Sequence, residues 1–245
     1  MSILEGKGVT KYFGGLAAVS NVDFSVEKGE AFGLIGPNGA GKTTLFNLIS
    51  AAYPVKSGII RFKDKDITGL KPYKICRMGV ARTFQIVKIF PDLPVFSNVL
   101  LGLHFGHSSG MSSAEKASLA LEYLDFVGLT QVKMAPAKDL TLANQKRLEV
   151  ARALATGPEL LLLDEIMAGL NPTEVSQAME LVNRIREKGI TIIMIEHVMK
   201  AIMNICQRIM VLHHGEKIAE GSPREIANSE KVIKVYLGEK AHATC

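Results

Sequence analysis

The sequence predicts an α/β protein with a mostly parallel core sheet, and three observations carry this prediction. From Leu160 onward the pattern is strand, helix, strand, helix, and the runs "LLLLDE" and "GITIIMIEH" are nearly all apolar, as in the middle of a parallel sheet. A glycine-rich turn separates the apolar run "GLIG" from "KTTLFNLISAA", which has helical spacing. The N-terminal third alternates short β-like runs with turns, which predicts an antiparallel β lobe beside the core.

Length and composition agree with this class. The 245 residues suit one large α/β domain or a core with a small inserted lobe, and 47% hydrophobic residues supply a core. No apolar run reaches the roughly 18 residues that a membrane span needs. Glu5 and Lys7 interrupt the apolar block of a signal peptide, so secretion is not expected. The net charge of +5 permits nucleic-acid or membrane binding, but the basic residues are scattered, which favours a solvated face.

The middle of the chain has a break in composition. The Ser/Gly-rich stretch "FGHSSGMSSAEK" predicts an exposed loop. The run "ASLALEYLDFVGL" after it predicts an amphipathic helix that ends near Gly128.

The stretch "GPNGAGKTT" matches the pattern of a phosphate-binding loop and lies after an apolar strand and before a helix, as the mechanism requires. Its glycines let successive backbone N–H groups face phosphates at the positive end of a helix. Lys42 would reach the β- and γ-phosphates, and the Thr43 hydroxyl would bind Mg²⁺. The predicted phosphate-binding residues are Gly36, Pro37, Asn38, Gly39, Ala40, Gly41, Lys42, Thr43 and Thr44.

The run "LLLLDE" provides two carboxylates at the end of a buried strand. Ligands of open α/β sheets collect at the carboxyl ends of strands, so Asp164 is expected beside the phosphate-binding loop. Asp164 can hold Mg²⁺, and Glu165 can polarise the attacking water as a general base. Taken alone, two acids at a strand end would as readily mark an ordinary turn.

Together these motifs resemble the ATP-binding cassette of an ABC transporter, over nearly the whole chain. The resemblance implies that His197, at the end of "GITIIMIEH", contacts the γ-phosphate. It implies that Gln85 in "RTFQ" senses the γ-phosphate, faces the membrane subunit and joins Thr43 and Asp164 at the metal. It also implies that Phe13 in "KYFGG" stacks on adenine, with Tyr12 as the alternative.

The resemblance implies a division into lobes. Residues 1–86 and 147–245 would form the β lobe and the nucleotide-binding core, and residues 87–146 would form an inserted helical lobe with the signature helix. Two cassettes would enclose two ATP molecules between them. Whether the second cassette is an identical or a homologous chain is left open.

Shorter motifs resemble the LivG-type ATPases of branched-chain amino-acid importers: "IFPDLPVFSNVLLG" after "RTFQ", "AGLNP" after the acidic pair, and "YLGE" in the tail. This implies ATP- and Mg²⁺-dependent uptake of branched-chain or other hydrophobic amino acids through separate permeases, at the cytoplasmic face of the membrane. A periplasmic or extracellular binding protein would take part indirectly. Relatives that energise uptake of urea or short amides remain an alternative.

The signature departs from the family pattern. "LTLAN", residues 140–144, aligns with Leu-Ser-Gly-Gly-Gln. Thr141 keeps a hydroxyl that can contact a γ-phosphate, whereas Ala143 replaces a glycine, and its Cβ is expected to crowd the approach of the phosphate. Thr141 and Ala143 are therefore predicted to form an altered half-site.

Two other classes of protein are less compatible with the sequence. A cassette ATPase that acts on nucleic acid usually carries two cassettes, a coiled coil or zinc motifs, and none occurs here, so no nucleic-acid partner is expected. A small-molecule kinase would use the phosphate-binding loop but would leave Gln85, His197 and the helix from Val150 to Leu154 unexplained.

Overall fold

The computed structural model describes residues 1–106 and 110–242. The strands are β1 (Ser2–Phe13), β2 (Leu16–Glu27), β3 (Ala31–Ile35), β4 (Ser57–Phe62), β5 (Lys65–Asp66), β6 (Val80–Arg82), β7 (Leu160–Asp164), β8 (Thr191–Ile195), β9 (Arg208–His213) and β10 (Glu216–Gly221). The helices are α1 (Lys42–Ile49), α2 (Pro72–Arg77), α3 (Val95–Phe105), α4 (Ser113–Phe126), α5 (Leu142–Ala155), α6 (Pro172–Glu187), α7 (Met199–Ile205), α8 (Pro223–Ala227) and α9 (Glu230–His242). Residues 107–109 of the predicted Ser/Gly-rich loop lie outside the described residues.

The chain forms two compact units, one from Met1–Pro72 with Thr191–Cys245 and the other from Tyr73–Ile190. The lobes expected from the resemblance, 1–86 together with 147–245 and the inserted 87–146, have other bounds and stay a prediction. Helix α5 runs without interruption through residue 146, so a boundary there would fall inside a helix.

The first unit contains the predicted antiparallel β lobe, in which the strand order is β2-β1-β4-β5. Leu4 of β1 lies opposite Val26 on one side and Phe62 on the other, and all three side chains are buried. Lys63 and Asp64 both have positive φ in the polar turn between β4 and β5.

The same unit contains parallel strands. β3 pairs in parallel with β8 and with β9, and β10 adds antiparallel to β9. Every residue of β3 and β8 is buried, which explains why both read as continuous apolar runs rather than alternating ones. The α/β class with parallel core strands is therefore confirmed.

In the second unit β6 pairs in parallel with β7, and helices α3, α4 and α5 pack together. Leu103, Leu124 and Leu148, one from each helix, are fully buried. A Cβ added at Gly102 of α3 would lie 2.5 Å from the Arg152 carbonyl oxygen of α5, so only glycine permits this close approach. Within the described residues, no helix is long and apolar enough to cross a membrane.

Candidate nucleotide site

The loop between β3 and α1 has the backbone shape that the phosphate-loop pattern predicts. Gly36 has φ 149°, and a Cβ there would lie 2.1 Å from the Leu212 carbonyl oxygen. Gly41 has φ 102°, and a Cβ there would lie 2.3 Å from the Ala18 carbonyl oxygen. Glycine is therefore required at both positions, where the loop packs against the backbone of its own unit.

Lys42 begins α1 and is buried. Its Nζ donates to the carbonyl oxygens of Gly36 and Pro37, at 2.6 and 2.8 Å. These bonds hold the ammonium group at the loop, while Asn38 and Gly39 are exposed at the tip and Thr43 and Thr44 are half-buried in the first turn of α1. The helix N-terminus and this cation together suit an anionic ligand.

Phe13, at the end of β1, is 45% exposed and forms an edge-to-face pair with Tyr53 at a centroid distance of 5.4 Å. The Lys11 Nζ lies 5.3 Å from the Phe13 ring centroid. The predicted alternative, Tyr12, is similarly exposed. Tyr53 was missed by sequence reasoning because it follows α1 by a few residues and meets Phe13 only in the folded chain.

His197 is exposed and lies between β8 and α7. The sequence places it at the end of the strand, whereas the strand ends at Ile195 and the intervening Glu196 is buried. His197 therefore belongs to the connection that follows the strand.

In the second unit Asp164 is the last residue of β7 and is 1% exposed. Its Oδ2 accepts from an Nη of Arg82 at 3.0 Å, and its backbone N–H donates to the Thr83 hydroxyl at 3.1 Å. Arg82 and Thr83 thus hold this carboxylate at the end of the strand. Sequence reasoning missed both, although they immediately precede the Phe84 and Gln85 of "RTFQ".

Glu165 has φ 52°, a left-handed conformation that costs a residue with a side chain on the order of 1–3 kcal/mol. Its carboxylate accepts from the Gln85 Nε2 at 3.0 Å. Its carbonyl oxygen accepts from the Lys146 Nζ at 2.9 Å. The predicted base and the predicted Gln85 are therefore in direct contact, in a strained segment of the kind that often has a functional role.

The altered signature begins helix α5. Thr141 is the N-cap, and its hydroxyl accepts from the Asn144 N–H at 3.4 Å. Ala143 is only 8% exposed, and its methyl group lines a small cavity in the same unit with Ile166 and Leu170. Little of Ala143 is exposed in this unit, and the obstruction of a phosphate by its methyl group stays a prediction. The helix N-terminus still carries free N–H groups.

The predicted metal ligands Thr43, Gln85 and Asp164 are all oxygen donors, which is the chemistry that Mg²⁺ prefers. The described residues hold no cluster of three or more His, Cys, Asp or Glu side chains suited to a metal. Mg²⁺ is usually held by one or two protein groups together with substrate phosphates rather than by a protein cage. The donor set therefore fits the ion.

Two families match the sequence. Residues 19–168 match the family described as ABC transporter, and residues 216–242 match the family described as branched-chain amino acid ATP-binding cassette transporter. The second match includes the tail motif "YLGE".

Curated proteins from several organisms are similar over almost the full length. The high-affinity branched-chain amino acid transport ATP-binding protein BraF of Pseudomonas aeruginosa is 40% identical, over 97% of this chain and 98% of that protein. LivG of Escherichia coli, described by the same words, has the same identity and coverage. The probable LivG of Archaeoglobus fulgidus is 36% identical, over 97% of this chain and 96% of that protein.

Solved structures agree. A crystal structure of the ADP conformation of an ATP-binding cassette of an ABC transporter superposes with a TM-score of 0.87 and 31% identity, covering 97% of this chain and 99% of that one. A dimeric cassette in a post-hydrolysis state, bound to ADP and Pi, has a TM-score of 0.82 and 27% identity, covering 90% of this chain and 99% of that one.

Proposed function

Since this chain belongs to the ABC transporter family of ATP-binding cassettes, we propose that it hydrolyses ATP to drive uptake of branched-chain or other hydrophobic amino acids. The observation that carries the substrate class is the 40% identity, over 97% of the chain, with proteins described as branched-chain amino acid transport ATP-binding proteins. The match of residues 216–242 to a family with the same description supports it independently.

In the proposed mechanism each residue has a separate role toward ATP. The loop from Gly36 to Thr44 and the Lys42 ammonium bind the phosphates, and Phe13 stacks on the adenine. Glu165 accepts a proton from the attacking water, while Gln85 orients the Glu165 carboxylate and His197 contacts the γ-phosphate. The hydrogen bond from Gln85 to Glu165 supports this assignment of the base.

Mg²⁺ would be held by Thr43 and Asp164, with Gln85 as a further oxygen donor, and would neutralise charge on the phosphates. Arg82 keeps the Asp164 carboxylate at the strand end. Lys42 would supply a positive charge to the phosphates. Thr141 and the N–H groups at the start of α5 are proposed to contact the γ-phosphate of ATP on a second cassette, identical or homologous.

We further propose that this chain binds permease subunits at the cytoplasmic face of the membrane, while a periplasmic or extracellular binding protein supplies the permease. Nucleic acid has no role in the proposal. In the segment after Gln85, Ile86 is 81% exposed and Phe90 is 48% exposed. Exposed apolar side chains of this kind are suited to contact with another protein. Glu149 accepts from the Lys88 N–H, and Arg152 donates to the Lys88 carbonyl. Two side chains of helix α5 therefore bind the backbone of this segment.

Co-expression with the permeases tests the proposal. In a background without the native cysteines, single cysteines at positions 87–91 are expected to cross-link to a permease, whereas a cysteine replacing the exposed Glu187 on α6 is not. Uptake of labelled leucine by the assembled complex is expected to depend on ATP. Uptake of urea or short amides in place of leucine would assign the alternative substrate class. Failure to cross-link at every position from 87 to 91 would argue against a transporter role.

A further inference from the structure

Lys146 is a buried lysine to which the proposed mechanism assigns no role. It lies in the first turns of α5, and 7% of its surface is exposed. Lysine is almost never buried unless its charge is paired or hydrogen-bonded, because desolvation of the ammonium is costly. Its Nζ donates to the backbone carbonyl of Glu165 at 2.9 Å, so the buried ammonium binds the peptide group of Glu165.

That peptide group belongs to the one residue whose side chain the mechanism uses as a base. Glu165 has positive φ, a conformation that a residue with a Cβ keeps only where its surroundings impose it. The carbonyl oxygen accepts from Lys146 and from the Ala168 N–H, at 2.9 and 3.2 Å, while the carboxylate accepts from Gln85. The residue is thus held at both its backbone and its side chain.

We propose that Lys146 is a positioning residue for hydrolysis: its ammonium fixes the left-handed peptide of Glu165 and thereby aims the carboxylate. Rotation of this peptide would move the Glu165 carboxylate relative to Gln85, since the peptide group and the carboxylate belong to the same residue. This inference rests on the proposed role of Glu165 as the base. Lys146 itself touches no substrate, and it acts through Glu165.

The test compares Lys146→Met, which keeps the length of the side chain and removes the donor, with Lys146→Arg, which keeps a cationic donor. For the full-length chain we expect Lys146→Met to lower kcat roughly 10- to 100-fold, the loss typical of a misplaced catalytic group, with the KM for ATP changed less than about threefold. Lys146→Arg is expected to recover most of the lost kcat. The control is Arg147→Met on the same helix, where the side chain bonds Gln177 and kcat should not change.

A double-mutant cycle distinguishes an effect of Lys146 through Glu165 from a general loss of activity. If Lys146 acts through Glu165, adding Lys146→Met to Glu165→Gln should cause no further loss of kcat. Additive losses, or equal kcat in Lys146→Met and the parent chain, would overturn the inference while leaving Glu165 as the base. Near-normal kcat in Glu165→Gln alone would instead remove the proposed base. Should Lys146→Met fail to fold, Lys146→Leu, which is shorter and also lacks a donor, takes its place, and unchanged kcat there counts equally against the inference.

Discussion

The side-chain amide of Gln85 donates a hydrogen bond to the carboxylate of Glu165, with 3.0 Å between Nε2 and the oxygen. The two residues are far apart in sequence, but they follow the neighbouring parallel strands β6 and β7, so their proximity follows from strand pairing. A neutral amide donor orients a carboxylate without neutralising its charge. A fixed cation, in contrast, would neutralise that charge. An amide partner therefore suits the proposed role of Glu165 as the base.

Glu165→Gln should keep ATP affinity and lower turnover by roughly 10²-fold or more, because an amide cannot accept the proton of the attacking water. The new amide oxygen can still accept from Gln85, so the local geometry should persist. An ATP-bound dimer should then accumulate and elute as a larger species in size-exclusion chromatography. The exposed Glu187→Gln on α6 is the control. Near-normal hydrolysis would remove Glu165 from the mechanism.

Lys42→Ala should weaken ATP binding itself, since the contact of its ammonium with phosphate exists in the ground state as well as in the transition state. Hydrogen bonds to a charged group are worth about 1.5–3 kcal/mol, so a roughly 10- to 100-fold rise in Kd is expected by calorimetry. Lys28→Ala, in an exposed turn of the same unit, removes an equal charge and should leave Kd unchanged. An unaltered Kd for Lys42→Ala would contradict the phosphate-loop assignment.

Ala143→Gly tests the altered signature. The sequence pattern alone suggests that removing the methyl group would strengthen ATP-dependent dimerisation, but the methyl group lies inside its own unit. We therefore expect about 1 kcal/mol lower stability toward urea, the cost of glycine in a helix, and an unchanged dimerisation constant. Ala153→Gly, at another buried alanine of α5, is the matched control. Stronger dimerisation in Ala143→Gly alone would show that the methyl group does obstruct the phosphate.

Glu149, whose carboxylate accepts a hydrogen bond from the Lys88 N–H, allows a test of how stability depends on pH. Burial raises the pKa of its carboxyl, although the N–H groups of Lys88 and Phe84 oppose the shift. A raised pKa in the folded state means that the folded chain binds the proton more tightly. The resulting stabilisation is present below the unfolded value of about 4.3 and is lost as the pH rises through the folded pKa.

Glu149→Gln lacks this loss and keeps an oxygen that accepts from Lys88. The free energy of unfolding of Glu149→Gln minus that of the parent chain should therefore be larger at pH 7.5 than at pH 4.5 in urea titrations. Glu187→Gln, on the exposed end of α6, should show no such trend. A difference that is constant with pH would mean that Glu149 titrates as an exposed carboxyl does.

The parts of this protein that follow local rules could be predicted from its sequence alone. The β3–loop–α1 unit and the fully apolar strands β7 and β8 were predicted because side-chain periodicity and glycine-rich turns are properties of short segments. The phosphate-loop glycines were predicted for the same reason. The structure adds the reason why Gly36 and Gly41 cannot carry a Cβ, which is the backbone that lies against them.

Which side chains meet depends on the folding of the whole chain. The pairing of Arg82 with Asp164, of Phe13 with Tyr53, and of Lys146 with the Glu165 carbonyl joins segments that are distant or unrelated in sequence pattern. The burial of the Ala143 methyl group and the compact unit from Tyr73 to Ile190 likewise depend on how helices pack. Such contacts depend on strand order and helix packing, which place residues together according to the whole core, so no single stretch of sequence carries them.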